Sequence, residues 1–247
     1  MKQTDFQGFC AIMDKLLSDS GCPWDRIQTH ESLRQYLLEE SYEAIDAINN
    51  NDMAALCEEL GDVLLEVVFH SKIAEKLNQF TIDDVVDGIA NKMINRHRHI
   101  FGDVKADSPE EVLISWDKIK DEEKGYRNKT DKMRSVPKAL PSLTRAEKVL
   151  KRSEQGVGFT DSDAENISEL LKGILIRASE KNKNSEINET EIIEEQIGSL
   201  LIYVVQICRF FNINPEFALT NALETYITRF ENRENPVNSG FAAIINE

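Results

Sequence analysis

Glu40, Glu43, Glu59 and Asp62 form two Glu-x-x-acid steps, Glu40-Ser-Tyr-Glu43 and Glu59-Leu-Gly-Asp62, on consecutive stretches of helix-like sequence. Residues three apart on a helix share a face, so each step aims two carboxylates one way, and two facing helices bring four to one point. Such oxygen donors ask for a hard divalent cation, magnesium or manganese. A single Glu-x-x-Glu pair is ordinarily just a solvated helix face. Here, however, Glu40 falls on the apolar stripe of Leu33, Leu37, Ala44 and Ala47, with Glu43 at its margin. Glu59, Asp62 and Glu66 share one arc of a segment that is apolar nearly all round, as expected of a helix buried in a bundle. Carboxylates buried together cost several kcal/mol or are forced to take up protons, and a divalent ion removes that penalty.

Cations for an anionic substrate are placed in the same half. Lys92 and Arg96 are four apart on one helical pattern, so both can reach one phosphate tail, although two solvated basic residues would give the same spacing. Trp116 and Lys120 repeat that spacing; an aromatic plane beside an ammonium can meet base and phosphate, while a tryptophan on an amphipathic helix can equally be packing. Trp24, in the turn Cys22-Pro-Trp-Asp25, reads as structural, and His97 and His99 as capping or packing residues. The lack of a Glu-x-x-His pair disfavours a di-iron carboxylate centre.

The elements that must position these groups are helices. Apolar residues recur at spacings of three and four, and only six prolines and eleven glycines interrupt them, so the fold class is all-α. The pattern predicts helices over about 4–18, from Thr29 or Ser32 to 49, over 53–77, from Thr81 to about His99, and from Ser108-Pro109 onward. The charged stretch beginning at Lys124 reads as a linker bounded by Pro137 and Pro141. A second helical block follows, with a polar loop at 181–186, a helix starting near Pro215, and an end that frays after Pro236.

The second block repeats the frame of the first. Glu59-Leu-Gly-Asp-Val-Leu-Leu-Glu-Val-Val aligns with Gln196-Ile-Gly-Ser-Leu-Leu-Ile-Tyr-Val-Val, and Val85, Ile89, Met93 and Arg96 align with Ala218, Ala222, Tyr226 and Arg229. Glycine and apolar positions persist, whereas Glu59 becomes Gln196, Asp62 becomes Ser199 and Lys92 becomes Thr225. Leu170 and Gly173 stand opposite Glu40 and Glu43. The acids are lost selectively while the fold is retained, which is not expected of residues that merely solubilise a surface.

Glu39-Glu-x-x-Glu43 followed by Glu59-x-x-Asp62 resembles the metal-binding signature of MazG-type nucleoside triphosphate pyrophosphohydrolases. Gly21-Cys-Pro-Trp-Asp25, Lys92-Met-Ile-Asn-Arg-His97 with His99-Ile-Phe-Gly102, and Trp116-Asp-Lys-Ile-Lys120-Asp-Glu-Glu extend the resemblance across about residues 5–125. It implies tandem all-α bundles of the all-alpha NTP pyrophosphatase type: a catalytic domain over 1–125, a linker over 126–140 and a degenerate repeat over 141–247. It further implies a homodimer and magnesium, or manganese in its place, held by Glu40, Glu43, Glu59 and Asp62. The implied reaction is hydrolysis of nucleoside triphosphates to monophosphate and pyrophosphate, with Lys92, Arg96, Trp116 and Lys120 on the substrate. Glu39 or Glu40 is the candidate to position or deprotonate the attacking water. A non-catalytic helical module that binds nucleotide or a protein partner is the alternative, and the complete N-terminal acid set speaks against it.

Composition bounds the partners. A net charge of −15 over 247 residues argues against nucleic acid or an anionic membrane, both of which need a basic patch. Four scattered cysteines without a Cys-x-x-Cys pair fit reduced thiols, and neither a leader nor a membrane span is evident, so a cytoplasmic location is expected.

Overall fold

The computed structural model describes residues 4–153, 158–180 and 187–234, and among them every regular element is helical. The chain divides into two compact units, Met1–Glu123 and Lys124–Glu247. The first contains α1 (Phe6–Leu16), α2 (His30–Asn49), α3 (Met53–Lys76), α4 (Ile82–Arg96), the short α5 (Arg98–Phe101) and α6 (Pro109–Lys124, whose last residue falls in the second unit). The second contains α7 (Lys129–Arg134), α8 (Ser142–Arg152), α9 (Asp161–Glu180), α10 (Ile187–Phe210) and α11 (Pro215–Glu234).

In the first unit α2 and α3 form a helical hairpin. Its turn is set by two residue types: Asn51 takes the left-handed conformation (φ 55°) that asparagine tolerates, and Asp52 accepts hydrogen bonds from the Ala54 and Ala55 amides at 3.0 Å. Thr29 opens α2 and Thr81 opens α4, each in a reciprocal capping box, with Ser32 and Asp84 as the return partners. The core lies at the end of the hairpin away from this turn. There Cys10, Met13 and Leu17 of α1 pack with Leu33, Val68, Phe69, Ile73 and Ile82. Each fully buried aliphatic side chain in it is worth about 1.5–3 kcal/mol. Gly21 lets the following turn close onto α1, since a β-carbon there would stand 2.1 Å from the Leu16 carbonyl oxygen.

Several expectations change. The helix opened at Thr81 stops at Arg96 rather than His99, because His97 leaves helical geometry (ψ 51°) and its Nδ1 lies 2.7 Å from the Met93 carbonyl oxygen. The polar stretch 126–140 contains α7, which Asn128 caps and which packs against α8; Val136 behind it is buried. Its charged composition hid this anchor. The first half of α3 is not enclosed, with Leu60 55% and Leu64 41% exposed, and Leu37 is also exposed on α2. α1 and the start of α4 pack on α3 around the core, near its far end, and leave this apolar face uncovered in the single chain. The loop and fraying end expected at 181–186 and after Pro236 fall outside the described residues.

The second unit is assembled around α10, against which α8, α9 and α11 pack. Thr144 ties α8 to α11 by donating from its amide and hydroxyl to Glu216 at 3.1 and 3.0 Å. Its helix ends echo those of the first unit. α3 exits through left-handed Asn78 with the Gln79 amide donating back to Ala74, and α10 exits through left-handed Asn212 with Ile213 donating back to Cys208.

Candidate active site

Glu43 and Glu59 each lie six residues from the hairpin turn, one before the end of α2 and one after the start of α3, so the antiparallel packing sets them at one height. One carboxylate oxygen each from Glu40, Glu43 and Glu59 then lies within 4.8 Å of the others. Glu40 and Glu59 are half-buried and Glu43 is exposed. Asp62, one turn on from Glu59, stands outside that trio, but its charge acts on Glu40, Glu59 and Glu66.

The electrostatics are those of like charges held together. Partial burial, then the charges of Asp62, Glu43 and Glu39, push Glu40 above the usual carboxylate range. Glu59 is raised by desolvation and then by Glu43, Glu58, Asp62 and Glu40. Deeper on the same arc of α3, Glu66 is only 5% exposed, its Oε2 has no hydrogen-bond partner, and burial followed by Glu40 and Asp62 raises it too. Converging oxygens with an orphaned buried carboxylate beside them suit a hard divalent cation; Glu40, Glu43 and Glu59 would hold it, with Asp62 alongside.

Glu39 points elsewhere: it is exposed, and its Oε1 accepts from Gln35 Nε2 at 2.7 Å. Lys92 is exposed on α4 and Lys120 half-buried on α6. Arg96, by contrast, is 7% exposed, donates from Nε to Glu123 Oε2 at 3.1 Å, and sits with its Cζ 5.2 Å from the centre of the Trp116 ring. Trp116 also meets His97 edge-on at 5.0 Å between centroids. Trp24 packs edge-on to Tyr36. The sequence offered no role for Glu123, although it ends the Trp116 motif, and it placed Glu66 on the acidic arc without making it part of the site.

In the second unit a cavity of about 770 Å³ is lined by Leu170, Gln196, Ser199, Tyr203, Gln206 and neighbours. Gln196 and Ser199 there are neutral, and the side chain of its Asp163 is engaged in capping α9 through Thr160. Opposite Gln196, the Arg177 guanidinium donates to Gln196 Oε1 and to the Gly173 carbonyl, both at 3.3 Å. A fixed positive charge thus stands beside the residues aligned with Glu43 and Glu59.

The family model described as the MazG nucleotide pyrophosphohydrolase domain matches residues 28–101, which span the α2–α3 hairpin and α4. The chain is 40% identical over 229 residues to the nucleoside triphosphate pyrophosphohydrolase/pyrophosphatase MazG of Thermotoga maritima, covering 93% of this chain and 85% of that one. It is 34% identical to the nucleoside triphosphate pyrophosphohydrolase of Escherichia coli K12, covering 92% and 86%. The uncharacterized protein YabN of Bacillus subtilis is 41% identical over 92% of this chain, which spans 45% of YabN. The chain therefore belongs to the MazG family of nucleoside triphosphate pyrophosphohydrolases.

Proposed function

We propose that this chain hydrolyses nucleoside triphosphates to the monophosphate and pyrophosphate at one site in its first unit, with magnesium, or manganese in its place, held by Glu40, Glu43, Glu59 and Asp62. The observation that supports this most directly is the convergence of the Glu40, Glu43 and Glu59 oxygens within 4.8 Å. Bound there, a divalent cation supplies positive charge against the triphosphate oxygens. Glu39 or Glu40 orients the attacking water and accepts its proton; Glu40 is the one whose carboxylate reaches the cluster, while Glu39 is bonded to Gln35. Lys92 and Lys120 neutralise the phosphate tail as pyrophosphate departs. Arg96, lying on Trp116 and paired with Glu123, ties α6, which carries Lys120, to α4, which carries Lys92.

The second unit is read as a duplicate that keeps the frame and has lost the chemistry. Matching left-handed asparagines at Asn78 and Asn212 support the duplication, and Arg177 beside Gln196 supports the loss, since a guanidinium there stands in for a cation. Exposed Leu38, Tyr42, Leu60 and Leu64 around the hairpin favour a homodimer that covers them. Among the described residues no single helix is long and apolar enough to cross a membrane. We place the enzyme in the cytoplasm, where thiols stay reduced.

The test is incubation with magnesium and a panel of triphosphates, reading products by anion exchange. Pyrophosphate with monophosphate is expected, and orthophosphate with diphosphate would mean the wrong bond. Nucleotide retained without turnover would favour a binding module instead. Glu195→Gln, an exposed acid of the second unit, should leave the rate unchanged; loss of turnover in that folded variant would overturn the division of labour.

A further inference from the structure

Three positions of α10 repeat the acidic arc of α3 without its charge: Gln196, Ser199 and Tyr203 align with Glu59, Asp62 and Glu66. All three line the cavity of about 770 Å³ in the second unit. A duplicate kept only as scaffold is expected to close such a groove with aliphatic side chains, because interiors are close-packed and unfilled space destabilises them. Here each lost acid is replaced instead by a neutral group that still donates and accepts hydrogen bonds. The volume falls in the range of small-molecule sites, about 300–1,000 Å³.

The lining selects the ligand. Asn166 and Gln206 add two carboxamides to that of Gln196, and Leu170 and Ile202 supply apolar surface in addition to the Tyr203 ring. Arg177 donates to Gln196 Oε1 and so fixes that carboxamide, leaving its Nε2 to donate. Among the described residues no basic side chain lines the cavity, while two carboxylates do. Of these Asp163 is engaged by the amide and hydroxyl of Thr160, and Glu169 is exposed. A phosphate tail, which arginine, lysine or metal ordinarily holds, would meet only negative and neutral groups on these walls. A nucleoside suits them. A carboxamide makes paired hydrogen bonds with a base edge, aliphatic and aromatic side chains cover the base faces, and a carboxylate accepts from ribose hydroxyls.

We propose that the cavity of the second unit is a metal-independent binding site for a nucleoside, which it takes by base and ribose rather than by phosphate. The choice of a nucleoside among neutral polar ligands rests on the reading of the first unit as a nucleotide hydrolase, since the two units share one frame. The first unit holds the phosphate end of its ligand through a cation, and the second keeps a groove for the other end.

Calorimetric titration of the full chain with adenosine, guanosine, cytidine and uridine, with a chelator present, tests it. Saturable binding of at least one nucleoside is expected, with the matching triphosphate about tenfold weaker because its charge meets Asp163 and Glu169. Ser199→Trp fills the cavity and should abolish this binding. Should that variant fail to fold, Gln206→Leu removes a carboxamide at nearly constant volume and should weaken binding about tenfold. Both variants should keep wild-type pyrophosphate release with magnesium. No saturation at millimolar nucleoside, unchanged binding in either folded variant, or tighter binding of the triphosphate in chelator would overturn the proposal. Nucleoside binding in a wild-type chain that releases no pyrophosphate would instead remove the enzyme reading of the first unit and leave this site in place, so the two failures are distinct.

Discussion

Arg96 and Glu123 hold α6 against α4: Nε of the arginine donates to Oε2 of the glutamate at 3.1 Å, and Nη2 donates to the same oxygen. The arginine side chain is 8% exposed and the glutamate side chain 33%, so the charge that would be stranded is the arginine's. Trp116, from the same helix as Glu123, lies against the guanidinium.

A lysine at 96 keeps the charge but loses the planar fork and the stacking surface. Arg96→Lys should therefore cost about 1–3 kcal/mol of stability, discounted from the fully buried case because Glu123 is part-exposed. Urea unfolding at neutral pH measures this. Glu123→Gln, which retains an acceptor, should cost less. Equal stability of Arg96→Lys and wild type would mean that the pair does not fasten the helix.

Glu59→Gln copies what the second unit already has at Gln196. Cation charge stabilisation is worth several kcal/mol in such reactions, so turnover should fall by on the order of a thousandfold. The fold should persist, because the substitution is isosteric and relieves repulsion with Glu43. Pyrophosphate release with the helical spectrum as control decides it, and wild-type turnover would remove Glu59 from the site.

The hairpin was legible because its signals are local. Thr29, Asn51, Asp52 and Thr81 each act within three residues of themselves, and capping chemistry names the helix ends. The acid steps were legible for the same reason, since spacing of three on a helix fixes a common face. What escaped depends on contacts between distant residues. Nothing in the sequence around Glu123 or Arg96 announces that they meet across 27 positions, and His30 and His70 meet across 40. Burial was misjudged where a face lacks a cover in the single chain: the apolar run of α3 promised enclosure, while Leu60 and Leu64 are exposed.

Acid stability offers a check on Glu66 that is independent of turnover. Its carboxyl is raised, first by burial and then by Glu40 and Asp62, so the folded metal-free protein holds a proton that the unfolded chain releases. Stability contributed by a raised acid is present below the ordinary carboxylate range and is lost as pH rises towards the folded value. Glu66→Gln has no such proton to lose. Without metal, the variant should melt higher than the wild type at neutral pH, and the gap should close as pH falls into the carboxylate range. Thermal melts across that range, with a chelator present, measure the difference; a gap independent of pH would contradict it.

The histidine pair gives the opposite dependence. His30 at the start of α2 and His70 on α3, one turn beyond Glu66, stack at 5.1 Å between centroids with their Nδ1 atoms 2.8 Å apart, an arrangement that requires one of the two nitrogens to carry a proton and the other to accept it. Burial, then the charge of His30, lowers His70. The unfolded chain therefore takes up a proton at higher pH than the folded one, and stability is lost as pH falls through the ordinary histidine range until the lowered value is reached. Between about pH 7.5 and 5.5 the wild type should lose more stability than His70→Gln, which has no imidazole to protonate at this half-buried position. Because both residues lie on the helices that converge the acids, metal-dependent turnover should decline over the same interval and recover on return to neutral pH. Parallel denaturation curves for the two proteins would show that protonating His70 costs the fold nothing.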